Sequence, residues 1–203
     1  MTVLSRRAVV LASASVARAR LLEAAGLEVV RDPAGIDEAA VKASFREEGL
    51  DAASCATALA ETKAVRVSVR HGEALVIGAD QILVHDEHWL DKPHDKAEAR
   101  DQLARLRGAR HELVTAVAVA QNGAAIWREV DRAFLYMRAI SDEFLSAYLA
   151  AVGDEVLAWV GAYQFEGLGA QLFARVEGDY FTILGLPLLP LLEFLRSHGM
   201  VPS

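Results

Sequence analysis

A short apolar stretch near the middle of the chain constrains the fold more than any other feature. Residues 76–84 read Val-Ile-Gly-Ala-Asp-Gln-Ile-Leu-Val. The run is rich in β-branched residues and too short for an ordinary helix, so we predict a buried strand. Asp80 closes its first apolar half, and open α/β sheets bind ligands beyond their strand ends. Asp80 therefore suits binding or chemistry, and a turn-capping role for its side chain stays open.

Composition and charge limit the class of protein. The 203 residues are 53% hydrophobic and 24% charged, which allows a buried core, and a chain of this length fits one domain over residues 1–203 or two close-packed lobes. The formal charge of −7 argues against a nucleic-acid partner, because such a protein needs a basic surface. No apolar run approaches the about 18 residues of a membrane helix. With Cys55 as the single cysteine, we predict a cytoplasmic protein without a membrane partner.

A strand, a turn and a helix are predicted at the N-terminus. Residues 8–12 form the strand, and Ser13 and Ser15 are candidate N-caps of a helix that runs to residue 25. Arg18 follows within that helix. Free N–H groups at a helix start and a nearby guanidinium bind anions such as phosphate. Ordinary capping explains the two serines equally well, but it does not explain the arginine.

Two further helices carry charged side chains that suit a site. Asp37 and Glu38 open the first of them, where acidic residues also serve as partners of the helix dipole. The second, over about residues 52–70, places Lys63 on a face of small and apolar residues. A lysine there either reaches the protein edge or is held towards a buried anion. The sequence does not separate these alternatives.

The rest of the chain alternates helices and strands. The Asn122-Gly123 pair predicts a hairpin turn. Residues 161–170 form a glycine-rich loop that fits neither a dinucleotide fingerprint nor a P-loop. Leu189, Leu192 and Leu195 are predicted to face inward from a last helix that begins near residue 187. The other predicted elements are strands over 27–30, 111–120, 124–136 and 171–176, and helices over 96–106 and 141–152.

A set of short motifs resembles the Maf family of nucleoside triphosphate pyrophosphatases. Each motif is weak by itself, but their ordered set is highly specific and runs from about Val9 to Leu195. The motifs are residues 11–18, Glu38, Glu61-Thr62-Lys63-Ala64, Gly78-Ala79-Asp80-Gln81, Asp91-Lys92-Pro93, Gly108 with His111, residues 161–167 and Gly185-Leu186-Pro187.

The resemblance implies a fold and an activity. The fold is an elongated α/β structure, similar to Maf and inosine triphosphatase proteins, with a mixed sheet, flanking helices and two lobes around a central cleft. The activity is hydrolysis between the α- and β-phosphates of a modified or noncanonical nucleoside triphosphate, with Mg²⁺ or Mn²⁺ as cofactor, in a homodimer. Two alternatives stay open: a pyrophosphatase specific for dTTP and UTP, and a non-catalytic nucleotide-binding regulator of septum formation.

The resemblance assigns catalytic roles by position. Asp80, Lys63, Lys92 and Glu38 fall on the catalytic carboxylates and lysines of the family. Glu38 and Asp80 are hard oxygen ligands suited to Mg²⁺ or Mn²⁺. Asp80 can instead act as the general base on the attacking water.

The resemblance also assigns substrate-binding roles. Ser13, Ser15 and Arg18 fall on the N-terminal phosphate-binding motif. Gln81 and Glu166 fall on positions that differ between subfamilies, and both look like the branch that acts on 7-methyl-GTP.

The identity of the base stays open. Residues 178–180 resemble the branch that acts on thymidine and uridine triphosphates instead. An ionised Glu166 accepts hydrogen bonds and does not donate them, so it suits the N–H groups of guanine better than the O4 acceptor of uracil or thymine. We therefore favour a modified guanosine triphosphate or a broad range that includes it. The alternative is that Glu166 caps the glycine-rich loop by bonding to the backbone of that loop and does not touch the base.

Overall fold

A computed structural model of the protein describes residues 7–202. Their fold divides into two compact units. The first comprises residues 7–81, 115–131 and 180–202, and the second comprises residues 82–114 and 132–179. Residues 1–6 and 203, which the predicted single domain includes, lie outside the described part of the chain.

The described strands form a mixed sheet. They are β1 Val9–Leu11, β2 Val29–Arg31, β3 Val76–His85, β4 His88–Leu90, β5 Arg110–Gln121, β6 Ala124–Met137 and β7 Phe173–Glu177. The strand order is β2-β1-β3-β5-β6-β7, with β4 paired to β3. Strand β1 runs parallel to β2 and β3, whereas β4 and β7 pair antiparallel with β3 and β6. The predicted α/β class with a mixed sheet is confirmed.

Seven α-helices accompany these strands within residues 7–202. They are α1 Val16–Ala24, α2 Glu38–Glu47, α3 Ala52–Ser68, α4 Lys96–Leu106, α5 Asp142–Val152, α6 Tyr180–Ile183 and α7 Leu188–Ser197. The first five begin after a side chain that accepts a hydrogen bond from a first-turn N–H, and these N-caps are Ser15, Asp37, Asp51, Asp95 and Ser141. Such caps fix helix starts locally, which is why the sequence located them. None of the described helices has both the length and the apolar character needed to cross a membrane.

The first unit covers its part of the sheet on both faces. Val9 and Leu11 of β1 belong to a core that includes residues of α1 and α7. Val10 of the same strand packs instead with Val67 of α3 on the opposite face. Successive strand residues point to opposite faces, so both must be apolar when both are covered. This explains the continuous apolar runs of β1 and the first half of β3.

Helix α7 corrects one prediction. Leu195 is buried, but Leu189 is 57% exposed, so its predicted inward orientation is wrong. The buried stripe instead begins at Leu188 and continues through Leu191. A helix so rich in leucine has apolar residues on two neighbouring stripes, so periodicity alone does not choose between them.

The second unit contains the hairpin of β3 and β4 and packs α4 against α5. Three short 3-10 segments, Gly153–Ala158, Val160–Ala162 and Leu168–Leu172, also belong to it. The sequence predicted neither these segments nor α6, because pieces this short show no helical periodicity.

Candidate functional site

A glycine lets helix α3 lie directly against strand β3. A Cβ atom at Gly78 would lie 2.1 Å from the Ala60 carbonyl oxygen and 2.7 Å from the Ala64 nitrogen, both in α3. Real side chains do not tolerate such distances, so the approach requires glycine. Because Lys63 lies on this face of α3, the same approach brings it to Asp80 of β3.

Lys63 joins two carboxylates at the centre of the site. Its Nζ lies 2.6 Å from Asp80 Oδ1 and 2.7 Å from Glu38 Oε1. Lys63 and Asp80 are buried, whereas the Glu38 side chain is 47% exposed. Of the two alternatives for Lys63, the structure therefore shows the lysine held towards a buried anion. We call Glu38, Lys63 and Asp80 the carboxylate cluster.

Asp80 retains an unused acceptor. Within the described residues, its buried Oδ2 atom has no hydrogen-bond partner. The residue lies inside β3 and accepts from Lys63, so a role in capping a turn is excluded. Leaving a buried acceptor unpaired costs about 1–3 kcal/mol, so this oxygen can accept a hydrogen bond or bind a cation at no loss of another contact.

The donor set of the carboxylate cluster fits a magnesium-type ion. Mg²⁺ binds through one or two carboxylates together with substrate phosphates and water. Asp80 Oδ2 and the partly exposed Glu38 carboxylate are donors of this kind. Residues 7–202 contain no group of three or more His, Cys, Asp or Glu side chains arranged to hold a metal by themselves. The remaining ligands would therefore come from substrate and water.

The surrounding charges keep Glu38 ionised. Partial burial by itself would raise the pKa of its carboxyl group, but the charge and hydrogen bond of Lys63 outweigh this effect. Lys42 and Arg18 act in the same direction, and the pKa of Glu38 is lowered overall. Glu38 is therefore an anion at neutral pH, as a metal ligand must be.

The start of α1 lies beside a fixed guanidinium. Ser15 caps the helix by accepting from the Arg18 backbone N–H at 3.3 Å. Arg18 Nη1 donates to Ser13 Oγ at 3.2 Å and to the Ala79 carbonyl at 2.9 Å, and its Nε donates to the Gly185 carbonyl at 2.7 Å. Ser13 Oγ also accepts from the Ser15 N–H, so both serines cap the start of α1, which was one of the two roles left open for them. Ser13 in addition binds the guanidinium of Arg18.

Arg18 retains its positive charge for an anion. Among the described residues, all of the acceptors that its guanidinium binds directly are uncharged oxygens. Burial lowers the pKa of Arg18, while Asp80 and Glu38 oppose that shift through their charges. Arginine stays protonated in proteins, so the helix start and this side chain together form an electropositive site.

Gln81 uses its amide donors within the protein. Its Nε2 donates to Thr115 Oγ1 and to the Thr182 carbonyl, both at 2.9 Å, and lies 3.3 Å from the Ile183 carbonyl. The predicted contact between Gln81 and substrate would therefore have to use the amide oxygen.

Lys92 and Glu166 belong to the second unit, and their assigned roles stay predictions. Lys92 is exposed between β4 and α4, where Gln102 donates to the carbonyl of the preceding Asp91 at 3.0 Å. Glu166 is exposed and accepts from Gln164 Nε2 at 3.1 Å. This contact is with a side chain of the glycine-rich loop, whereas the alternative for Glu166 expected a bond to the backbone of that loop.

The sequence analysis missed several side chains of the first unit. Lys42 is buried on α2, and its charge helps to lower the pKa of Glu38. Its i, i+4 spacing from Glu38 was a signal that could have identified it. Thr115 and Thr182 gave no such signal, because only the fold brings them to Gln81.

The sequence as a whole resembles known proteins. Residues 8–198 match the family described as Maf-like protein. A protein of Paramagnetospirillum magneticum named nucleoside triphosphate pyrophosphatase is 54% identical over 193 residues, which are 95% of this chain and 100% of that protein. A protein of the same name from Granulibacter bethesdensis is 51% identical over 189 residues, covering 93% of this chain and 96% of that one.

A further relative carries a more specific name. A protein of Brucella suis named 7-methyl-GTP pyrophosphatase is 48% identical over 192 residues, which are 95% of this chain and 96% of that protein. The similarity therefore extends over nearly the whole chain and includes proteins whose names specify a substrate.

Proposed function

Because the chain belongs to the Maf family, we propose that it is a hydrolase that cleaves a nucleoside triphosphate between its α- and β-phosphates. The products are the nucleoside monophosphate and pyrophosphate. The observation that carries the proposal is the buried carboxylate cluster, in which Lys63 holds Asp80 while Asp80 Oδ2 stays without a partner.

The cations of the first unit suit a triphosphate. Such a substrate carries about four negative charges, which the N–H groups at the start of α1 and the Arg18 guanidinium can bind. Lys63 is proposed to contribute a further cation, although its two carboxylates compensate the charge of its ammonium group. Charges fixed before the reaction stabilise the developing charge on a leaving group without reorganisation.

Asp80 is the proposed centre of the chemistry. Lys63 fixes one carboxylate oxygen, so the other, Oδ2, is free to accept a proton from a water molecule. The water oxygen forms a bond to the α-phosphorus while the bond from that phosphorus to the bridging oxygen breaks. Pyrophosphate leaves with the electron pair, and Asp80 releases its proton to solvent.

We propose Asp80 and Glu38 as the residues that hold a divalent cation, Mg²⁺ or Mn²⁺. When bound, such an ion polarises the phosphoryl group and neutralises part of the phosphate charge. Asp80 serves either as its ligand or as the base, and the single Oδ2 atom makes these two roles compete.

Lys92 is proposed to stabilise phosphate charge, and Lys92→Ala should then lower kcat/KM without loss of fold.

The proposed substrate is 7-methyl-GTP or a broad range of triphosphates that includes it. The name of the Brucella suis relative and the acceptor character of Glu166 support this choice over strict specificity for dTTP and UTP. The test compares kcat/KM for 7-methyl-GTP, UTP and dTTP in the wild type and in Glu166→Gln. Unchanged ratios among the three would show that Glu166 bonds only to its loop and does not contact the base.

A turnover experiment tests the proposal itself. The purified chain, with Mg²⁺ or Mn²⁺, is given a panel of standard and modified triphosphates, and pyrophosphate release is measured. We expect release that disappears in Asp80→Asn. A folded wild-type chain that binds nucleotides but releases no pyrophosphate would instead support the non-catalytic regulator.

We also propose a cytoplasmic homodimer from the family resemblance, and light scattering of the purified chain tests the dimer.

A further inference from the structure

A polar cluster with two buried threonines lies next to Asp80 along β3 in the first unit. It consists of Gln81 of β3, Thr115 of β5, Asp131 of β6 and Thr182 of α6, and we call it the Thr182 cluster. Gln81 follows Asp80 in β3, so the two side chains point to opposite faces of the strand. The Thr182 cluster therefore does not itself contact the face that Asp80 presents.

Thr182 is the centre of this cluster. Its carbonyl accepts from Gln81 Nε2 at 2.9 Å and from Thr115 Oγ1 at 3.1 Å. Its own Oγ1 donates to Asp131 Oδ2 at 2.6 Å. Thr115 and Thr182 are fully buried, and a hydrogen bond to a carboxylate is stronger than one between neutral groups. Three strands thus fix the position of one residue in a short helix.

The short helix ends in a turn that reaches Arg18. The Gly185 N–H donates to the Thr182 carbonyl at 3.0 Å. The Gly185 carbonyl accepts from Arg18 Nε at 2.7 Å. A Cβ atom at Gly185 would lie only 3.3 Å from Arg18 Nε, so the guanidinium rests against the turn itself. One hydrogen bond of the guanidinium therefore goes to the turn, and the turn is hydrogen-bonded to Thr182.

We propose that Thr182 is a positioning residue that, through the Thr182 cluster and the Gly185 carbonyl, holds the Arg18 guanidinium for phosphate binding. The proposal rests on the proposed function, in which Arg18 binds substrate phosphate. Buried polar atoms that are fully hydrogen-bonded specify one geometry, whereas apolar packing would supply burial without that constraint. Thr182 acts through Arg18 and does not touch the substrate.

A double-mutant cycle tests the dependence. Thr182→Val keeps the shape of the side chain and removes the hydroxyl group, and we expect kcat/KM to fall about tenfold in the Arg18 background. The Arg18→Lys protein lacks the Nε donor. In that protein, adding Thr182→Val should lower kcat/KM by less than about twofold, because the two residues act as a unit. Thr182→Ser keeps the hydroxyl and should retain most of the activity. Equal losses in both backgrounds would contradict the proposal.

Thr57→Val is the matched control. The Thr57 hydroxyl donates to the Ala53 carbonyl within α3 at 2.8 Å, so this variant makes the same chemical change away from Arg18. It should leave kcat/KM unchanged. If Thr182→Val does not fold, Thr115→Val replaces it, because that change removes another hydrogen bond of the Thr182 cluster, the one that the Thr182 carbonyl accepts from Thr115.

A second measurement needs no turnover. The Nε–H resonance of Arg18 can be assigned in an arginine-labelled sample by its loss in Arg18→Lys. We expect its proton exchange to speed up about tenfold or more in Thr182→Val and to stay slow in Thr57→Val, because only the first loosens the bond to Gly185. Unchanged exchange in a folded Thr182→Val protein would overturn the proposal. Absence of pyrophosphate release from the wild type would instead refute the proposed function, whatever the exchange rates.

Discussion

At Lys63 a single ammonium group is shared between a buried and a partly exposed carboxylate. This position holds the two carboxylates together, because without Lys63 both would lose the cation that contacts them directly. Removing one partner of a buried ion pair is more damaging than removing both.

We therefore predict that Lys63→Ala lowers both stability and activity. Asp80 would stay buried without its partner, at a cost of about 3–5 kcal/mol in the free energy of unfolding. Urea denaturation and kcat/KM measure the two effects. Lys96→Ala is the control: Lys96 pairs at 2.7 Å with the exposed Asp154, and an exposed pair contributes about 0–1 kcal/mol. Similar losses in the two variants would contradict the assignment of Lys63.

Asp80→Asn separates charge from shape. The substitution keeps the volume of the side chain but removes the negative charge and the basic oxygen, so we predict loss of at least about 99% of turnover in a protein that remains folded. Circular dichroism establishes the folded fraction, and pyrophosphate release measures the rate. Asp142→Asn, at an exposed partner of Arg107, should be fully active. Turnover by Asp80→Asn within a few-fold of the wild type would refute the role of Asp80.

Individual site residues differed in how far the sequence revealed them. Asp80 was visible because a carboxylate directly follows a short apolar run. The pairing of Lys63 with Asp80 was not visible, because helical periodicity gives the face of a lysine but not its partner across the fold. Thr182 lies about 100 positions from its partner Gln81, and no local rule connects residues at that separation.

At the scale of elements, the packing of α3 on β3 decides whether the carboxylate cluster can form. Gly78 permits this packing, since a Cβ atom there would overlap the backbone of α3. We predict that Gly78→Ala costs about 3 kcal/mol or more in stability and, in any folded fraction, separates Lys63 from Asp80 and lowers kcat.

Gly49→Ala distinguishes overlap from backbone strain. Gly49 has φ of 68°, but a Cβ atom there would meet nothing within 4 Å. Only conformational strain opposes that substitution, at a cost of about 1 kcal/mol, and activity should be retained. Thermal denaturation of both variants gives the comparison. A Gly78→Ala protein as stable as Gly49→Ala would show that α3 and β3 are not packed as described.

Elements with local end signals were predictable, and those without were not. Helix α4 occupies residues 96–106 as predicted. Its start is determined locally, because Asp95 caps it. The hairpin at Asn122-Gly123 also formed where expected, with Asn122 at φ of 50°. The face of α7 was predicted wrongly, because its leucines fit two stripes and only packing against the sheet selects one.

For the whole molecule, a buried histidine predicts how stability depends on pH. His111 Nε2 lies 2.7 Å from the Tyr163 hydroxyl, and burial, with a smaller effect of His85, lowers the pKa of His111 to about 3. In the unfolded chain His111 has its ordinary pKa of 6.5 and is protonated below that pH, whereas in the folded chain it stays neutral down to about pH 3. As pH falls from 6.5 to about 3, the free energy of unfolding should therefore fall by up to about 1.4 kcal/mol per pH unit.

Urea denaturation at several pH values checks this expectation. The variant His111→Asn removes the titrating group, so its free energy of unfolding should vary less steeply with pH between about 6.5 and 4 than that of the wild type. Above pH 7 the two slopes should agree. Identical pH dependence over the whole range would show that His111 does not contribute as a buried neutral residue.

The mixed α/β class came with the family resemblance that the ordered motifs carry, and the match of residues 8–198 to the Maf-like family agrees with that resemblance. Two lobes were expected, but the bounds of the two units within residues 7–202 were not, because three of the four boundaries fall inside β3, β5 and β6, which read as uninterrupted strands. The alternation of side chains in a strand shows which of its faces are buried, but it does not show where along the strand one unit ends and the other begins.

The position of water attack tests the central claim most directly. The purified chain hydrolyses 7-methyl-GTP in water enriched in oxygen-18, with Mg²⁺, and mass spectrometry identifies the products and locates the label. We expect 7-methyl-GMP that carries the label and pyrophosphate that does not, because water is proposed to attack the α-phosphorus near Asp80. A nucleoside diphosphate with inorganic phosphate as products, or label in the pyrophosphate, would contradict it.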